Sequence, residues 1–149
     1  MNLRKASEED TELTYTWVNH PNVRKYSLNK DWVTFEAHRD WFHQKIKDAN
    51  TLYFILIDAQ DTALGSVRFD LVGDEGKINY LIAPQFQGQG LGIKILEYSI
   101  AKIEKENANL KVVFGWVFKE NIPSIRIFNK LGFELIDEKN NLMKFSKNL

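Results

Sequence analysis

The segment Gln87-Gly88-Gln89-Gly90-Leu91-Gly92 joins a short apolar run to a pattern of helical period. It follows the run 77–82 and Pro84, and the helical pattern begins within it. The glycines let backbone N–H groups approach a ligand closely. Exposed amides at the start of a helix carry partial positive charge and suit a phosphate or pyrophosphate. The sequence therefore predicts a strand, a phosphate-binding turn and a helix in succession.

Two familiar phosphate-binding motifs do not fit this turn. A dinucleotide-binding G-x-G-x-x-G would need glycine at position 93, where Ile93 stands. A P-loop would need glycine followed by lysine at positions 93 and 94, and only Lys94 is present. The turn instead reads (Gln/Arg)-x-x-Gly-x-(Gly/Ala).

Hydrophobic periodicity predicts strands and helices on both sides of the turn. Ser7-Glu8-Glu9-Asp10 resembles a capping box and starts a first helix that runs to Asn19 and is stopped by Pro21. The other predicted helices run from the N-cap Thr34 to Asp48, from Gly90 to about Glu106, and from the turn containing Pro123 to Gly132. Predicted strands cover 2–4, 52–57, 64–71, 77–82, 111–118, 133–136 and 142–145. The order β-α-α-β-β-β-α-β-α-β-β predicts an α/β fold with helices on both faces of one sheet.

Composition restricts the class of protein. The 149 residues carry 20 basic and 20 acidic side chains, so the net charge of zero gives no reason to expect nucleic acid as a partner. Because 44% of the residues are hydrophobic, the chain can bury a sizeable core, and we expect one folded domain spanning 1–149. The absence of cysteine excludes disulfides, thiolate metal sites and a cysteine nucleophile. No apolar stretch approaches the roughly 20 residues of a membrane span, so we expect a soluble, cytoplasmic protein.

A second motif lies further along the chain: Asn121-Ile122-Pro123-Ser124-Ile125-Arg126-Ile127-Phe128-Asn129-Lys130-Leu131-Gly132-Phe133. With the glycine turn, in the same order and at about the same spacing, it resembles the GNAT superfamily of acyl-CoA-dependent N-acyltransferases. The resemblance implies a GNAT fold, in which a mixed central sheet is splayed between its fourth and fifth strands and carries helices on both faces.

The resemblance implies that acetyl-CoA is the cosubstrate. Its pyrophosphate would lie on the amides of residues 87–92, and its pantetheine arm in the opening between the strands 77–82 and 111–118. In the family a bulge in the fourth strand turns N–H groups toward the thioester carbonyl, and here Leu81 and Ile82 would supply them. The implied cofactor-binding residues are Leu81, Ile82, Gln87, Gly88, Gln89, Gly90, Leu91, Gly92, Asn121, Ser124, Phe128 and Lys130.

One departure from the family pattern affects the mechanism. Many relatives have a tyrosine where Phe128 stands, and its hydroxyl is taken to protonate the leaving thiolate. Tyr80 and Tyr53 are alternative phenols, and a thiolate is also a good enough leaving group to depart unaided. The run 77–82 offers no carboxylate as general base, so a water held by Asn79, Asp70 or backbone carbonyls is the expected route for the amine proton. The expected catalytic residues are Leu81, Ile82, Asn79 and Tyr80.

The N-terminal half resembles one branch of the superfamily, through Trp17-Val18-Asn19, Val23-Arg24, Ser27 and His38-Arg39-Asp40-Trp41-Phe42. That branch includes N-acetyltransferases of 4-amino-4,6-dideoxy sugar nucleotides and neighbours of the ribosomal-protein N-terminal acetyltransferases. The resemblance implies that Arg24, His38, Trp41 and Arg68 contact a nucleotide sugar. The alternative is structural: a histidine packed beside aromatic rings, and arginines that are solvated surface charges. The three histidines lack clustered carboxylates, so we expect no metal site.

The resemblance thus implies an N-acetyltransferase, monomeric or homodimeric, in which a primary amine attacks acetyl-CoA directly in a ternary complex. The preferred acceptor is a small molecule, the amino group of a nucleotide-linked deoxyamino sugar. The rivals are a protein N-terminal or small-amine acetyltransferase, and a non-catalytic acyl-CoA-binding module. An unrelated nucleotide binder would instead bind ATP or NAD at the glycine turn.

Overall fold

The structure is a computed structural model that describes all residues from Met1 to Leu149. Its strands are β1 (Asn2–Lys5), β2 (Thr51–Ile57), β3 (Ala63–Val72), β4 (Glu75–Ile82), β5 (Val112–Phe118), β6 (Glu134–Lys139) and β7 (Leu142–Asn148). Its α-helices are α1 (Thr11–Asn19), α2 (Pro21–Arg24), α3 (Phe35–Lys47), α4 (Leu91–Glu106) and α5 (Ile122–Lys130). Short 3₁₀ helices cover Glu8–Asp10 and Pro84–Phe86.

All seven strands form one mixed sheet in the order β1-β2-β3-β4-β5-β7-β6. Only β4 and β5 pair in parallel, and every other neighbouring pair is antiparallel. Successive residues of β2 face opposite layers, as the alternation of side chains along a strand requires. Phe54 and Leu56 join the main core with α4 and α5, whereas Ile55 and Ile57 pack with Trp17 of α1. The predicted α/β fold with helices on both faces is confirmed.

The parallel pair β4–β5 opens part-way along its length. Their pairing covers only Glu75–Lys77 against Val112–Phe114, although the strands continue to Ile82 and Phe118. The splay expected between the fourth and fifth strands is therefore present, and it leaves one edge of each strand without a strand partner inside the sheet.

Most predicted element boundaries hold to within a few residues, and two N-terminal details differ. The first helix begins as the 3₁₀ turn before α1, where the Ser7 amide donates to the Asp10 carboxylate at 2.9 Å. Arg4 also donates to both oxygens of Asp10, at 2.7 and 2.8 Å, which ties β1 to this turn. Pro21 ends the first helix but also opens the short helix α2, because proline fits the first turn of a helix.

None of the helices combines the length and apolar character that a membrane span requires. The structure also contains no cluster of three or more His, Cys, Asp or Glu side chains that could hold a metal ion.

Candidate active site

The glycine turn leaves the first amides of α4 without side-chain partners. Gly88 and Gly90 adopt left-handed backbone conformations, with φ of 79° and 75°. Gly90 is the N-cap of α4 and makes no side-chain cap, so the orphan N–H groups of the first helical turn stay available. No neighbouring atom lies within 4 Å of where a Cβ at either glycine would be. The turn therefore fits the pyrophosphate of acetyl-CoA.

The remaining residues of the turn fix its position. Gln87 donates from Nε2 to the Ile82 carbonyl at 3.1 Å, which ties the turn to the end of β4. Leu91 is buried in the main core, so its amide and not its side chain can face a ligand. A Cβ on Gly92 would lie 2.7 Å from Cδ1 of Ile127, so glycine permits the close approach of α4 and α5. Gln89 is exposed.

The backbone of β4 corrects the expected amide pair. β3 and β4 pair without a register shift from Gly65–Ile82 to Val72–Glu75, so the expected bulge is absent from this ladder. The Ala83 amide donates to the Leu64 carbonyl at 2.8 Å. Because amides alternate between the two sides of an antiparallel strand, those of Ile82 and Tyr80 face the splay. The Leu81 amide, expected to join Ile82, points toward β3 instead.

A hydroxyl pair joins β4 to α5. The Tyr80 phenol lies 2.7 Å from Oγ of Ser124, and burial raises the pKa of Tyr80. Its hydroxyl therefore stays protonated at neutral pH. Asn121 is the N-cap of α5, and its Oδ1 accepts from the Ser124 amide at 3.3 Å.

Phe128 and Lys130 do not join this pair. The Phe128 ring is 2% exposed and stacks on Phe145 with centroids 5.5 Å apart, so it belongs to the core and has almost no surface for a ligand. The Phe128 ring makes an edge-on contact with the Tyr80 ring, with centroids 6.3 Å apart. Lys130 is exposed at the far end of α5 from Asn121.

On the opposite face of the sheet, Arg68 and Trp41, two of the residues expected to contact the acceptor, lie together. The Arg68 guanidinium carbon lies 4.9 Å from the centre of the Trp41 ring. Its Nε donates to both oxygens of Asp70 at 3.1 Å, and Lys45 also donates to Asp70, at 3.2 Å. The sequence did not predict Lys45 here, because its contact spans helix α3 and strand β3.

Asn79 lies directly opposite Arg68 in the β3–β4 register, just beyond the last β4–β5 pair. Its Nδ2 is buried and has no hydrogen-bond partner in the protein. Buried polar atoms are normally paired, so this donor is free to bind a ligand.

His38 and Arg24 serve the packing of the N-terminal helices. His38 is 2% exposed, lies 2.8 Å from the Thr14 hydroxyl through Nε2 and stacks on Phe42, so the expected contact with an acceptor is wrong. Burial lowers the pKa of His38, which favours the neutral ring. Arg24 donates to the backbone carbonyls of Asp31 and Val18, at 2.9 and 3.4 Å, and so holds the segment between α2 and α3.

Comparison with known proteins agrees with this geometry. Residues 1–134 match the acetyltransferase (GNAT) domain family. The chain is 23% identical to acetyltransferase PseH from Campylobacter jejuni, over 92% of this chain and 85% of that protein. It is 25% identical to spermidine N(1)-acetyltransferase from Escherichia coli, over 91% of this chain and 74% of that protein.

A solved structure shares the fold. The spermidine N-acetyltransferase from Vibrio cholerae, in complex with CoA and spermine, superposes with a TM-score of 0.88 at 18% identity, covering 99% of this chain and 94% of that one. The splay between β4 and β5, the uncapped glycine turn and the family match over residues 1–134 agree. The chain therefore belongs to the GNAT family and is an acetyltransferase that uses acetyl-CoA.

Proposed function

We propose that the protein transfers acetyl from acetyl-CoA to the primary amine of a nucleotide-linked deoxyamino sugar. The observation that carries this choice of acceptor is the positive charge over the aromatic rings of β5, the strand that borders the splay. Lys30, Lys139 and Lys144 lie over aromatic rings of β5, and no carboxylate oxygen is within 4.0 Å of any of them. Unpaired cations attract a diphosphate and disfavour a polycation.

The donor side of the reaction uses backbone groups. The amides at the start of α4 would hold the pyrophosphate, and bound acetyl-CoA supplies the activated acetyl group as a thioester. The amides of Ile82 and Tyr80 face the splay and would donate to the thioester carbonyl oxygen as negative charge develops on it. Such preorganised donors are commonly the largest electrostatic contribution to acyl transfer.

Two side chains would handle the protons. The Tyr80 phenol, hydrogen-bonded to Ser124, would supply to the departing thiolate the proton that Phe128 cannot. The unpartnered Nδ2 of Asn79 would orient a water that carries the amine proton away. The Arg68 guanidinium and the Trp41 ring would form the wall of the acceptor site on the α3 side.

A second candidate is acetylation of a polyamine, since both a curated relative and a solved structure with this fold are spermidine acetyltransferases. A polyamine acceptor would require carboxylates to bind its ammonium groups, whereas three lysine ammoniums lie over the aromatic rings of β5. The proposal of a nucleotide sugar therefore depends on the lysines rather than on the relatives.

The test is thiol release from acetyl-CoA with three acceptors: a UDP-linked 4-amino-4,6-dideoxy sugar, spermidine and an N-terminal peptide. The cysteine-free chain adds no background to a thiol reagent. We expect release with the sugar, and a Tyr80→Phe variant should lower kcat about tenfold or more with a nearly unchanged KM for acetyl-CoA. Release with spermidine or peptide alone would overturn the acceptor assignment. Acetyl-CoA binding without release from any acceptor would contradict the proposal as well.

A further inference from the structure

Three aromatic side chains of β5 form a row on one face of the sheet. Val113, Gly115 and Val117 are buried toward α4 and α5, so the intervening residues face the opposite way. These are Phe114, Trp116 and Phe118, called here the β5 aromatic row, and each is half-buried. Three consecutive outward positions of one strand thus present aromatic rings.

A lysine ammonium lies over each ring of the row. Lys144 Nζ lies 4.4 Å from the centre of Phe114 and 5.7 Å from that of Trp116. Lys139 Nζ lies 5.8 Å from Trp116, and Lys30 Nζ lies 4.8 Å from Phe118. The lysines come from β6, β7 and the segment before α3, so three separate parts of the chain supply positive charge to one surface.

Acidic groups near the row leave these charges unpaired. Asp137 lies opposite Lys144 in the β6–β7 register, and Glu120 lies near Lys30 and accepts from Asn141. Neither comes within 4.0 Å of a lysine ammonium of the row. The surface therefore combines flat apolar rings with three lysine ammoniums that no carboxylate oxygen approaches within 4.0 Å.

The row borders the splay on the side of the proposed acceptor. Lys77 of β4 pairs in register with Phe114, so their side chains share a face of the sheet. Asn79, two residues further along β4, shares that face too, and Arg68 lies opposite it on β3. A molecule whose amine reaches Asn79 can therefore extend across the opening onto Trp116.

We propose that the β5 aromatic row is a nucleobase-stacking subsite whose lysines bind the diphosphate of a nucleoside diphosphate. The inference rests on the proposed function and extends it. It assigns a binding site to the nucleobase, the part of the acceptor that lies farthest from the reacting amine. Bases stack on aromatic side chains with little regard to their identity, because every base has a π-face. Lysines contribute attraction that weakens with salt.

The test measures binding of UDP and ADP, without acetyl-CoA or amine, by titration calorimetry. We expect Trp116→Ala to weaken UDP binding about tenfold, Trp116→Phe to retain most of it, and Lys144→Gln to weaken it and reduce its salt dependence. Trp32→Ala is the matched control, since Trp32 is 69% exposed and outside the row. Trp116→Phe keeps an aromatic ring in β5, so the subsite can still be tested if Trp116→Ala does not fold.

The outcomes separate this inference from the proposed function. UDP binding that depends on Trp116 supports the subsite even if no amino sugar is acetylated. Acetylation of the nucleotide-linked sugar with an unchanged KM in Trp116→Ala would overturn the subsite and leave the proposed function standing. Failure of the wild type to bind UDP or ADP at millimolar concentration would overturn it. A change of sedimentation coefficient in Trp116→Ala, with UDP binding intact, would also overturn the proposed subsite. The row would then be an interface with a second copy of the chain.

Discussion

At the scale of single residues, burial decides what a polar side chain can do. His38 shares a helical face with Trp41 and Phe42, and its own ring closes against Thr14 and Tyr15 of α1. Its Nε2 meets the Thr14 hydroxyl, and the lowered pKa of His38 means that the unfolded chain binds a proton before the folded protein does. The stability due to the neutral ring is thus present above the unfolded pKa of about 6.5 and is lost as pH falls toward the lowered folded value.

Urea unfolding between pH 8 and pH 5 gives the free energy of unfolding of the wild type and of His38→Gln. The wild type should lose stability below about pH 6.5, and the variant should show a smaller loss over the same range. Equal pH dependence in wild type and His38→Gln would contradict the role given to burial.

At the scale of elements, the start of α4 combines an uncapped helix terminus with a left-handed residue. Gly90→Val forces a β-branched side chain into a conformation with φ of 75° and places it where the pyrophosphate would approach. Acetyl-CoA affinity should fall about 100-fold or more, measured by calorimetry on folded protein, since backbone amides are the main ligands there.

Gly73→Val is the matched control for that prediction. Gly73 has φ of 60°, lies in open space and sits in the turn between β3 and β4, away from the splay. The control variant should lose a similar amount of stability, about 1–3 kcal/mol, while its affinity for acetyl-CoA stays unchanged. Wild-type affinity in folded Gly90→Val would disprove the assignment of the glycine turn.

At the scale of the whole molecule, the sheet opens between β4 and β5, and we expect acetyl-CoA to bind in this opening. The amides of Tyr80 and Ile82 face the splay, whereas Gly76 lies where β4 still pairs with β5. Saturating acetyl-CoA should slow hydrogen exchange of the Tyr80 and Ile82 amides about tenfold relative to the free protein, because it supplies an acceptor and excludes water. The Gly76 amide should change much less. Unchanged exchange at Ile82 would refute its role toward the thioester.

Much of the fold and part of the site follow from local patterns in the sequence. The seven strands and four longer helices appear in the hydrophobic periodicity, and the predicted glycine turn and Pro123 start helices in the structure. Contacts with distant elements explain the corrections. The Leu81 amide turned toward β3, and the Phe128 ring closed into the core.

The order of elements, the glycine turn and the family can be read from the sequence, because they depend on residues that are neighbours along the chain. Which side chains share a surface depends on tertiary contacts. The alternation of Phe114, Trp116 and Phe118 is visible in the sequence, but Lys30 and Lys144 reach these rings only because β7 pairs with β5 and the segment before α3 crosses to Phe118. Such proximity is set by strand order and packing between distant segments, which no local pattern encodes.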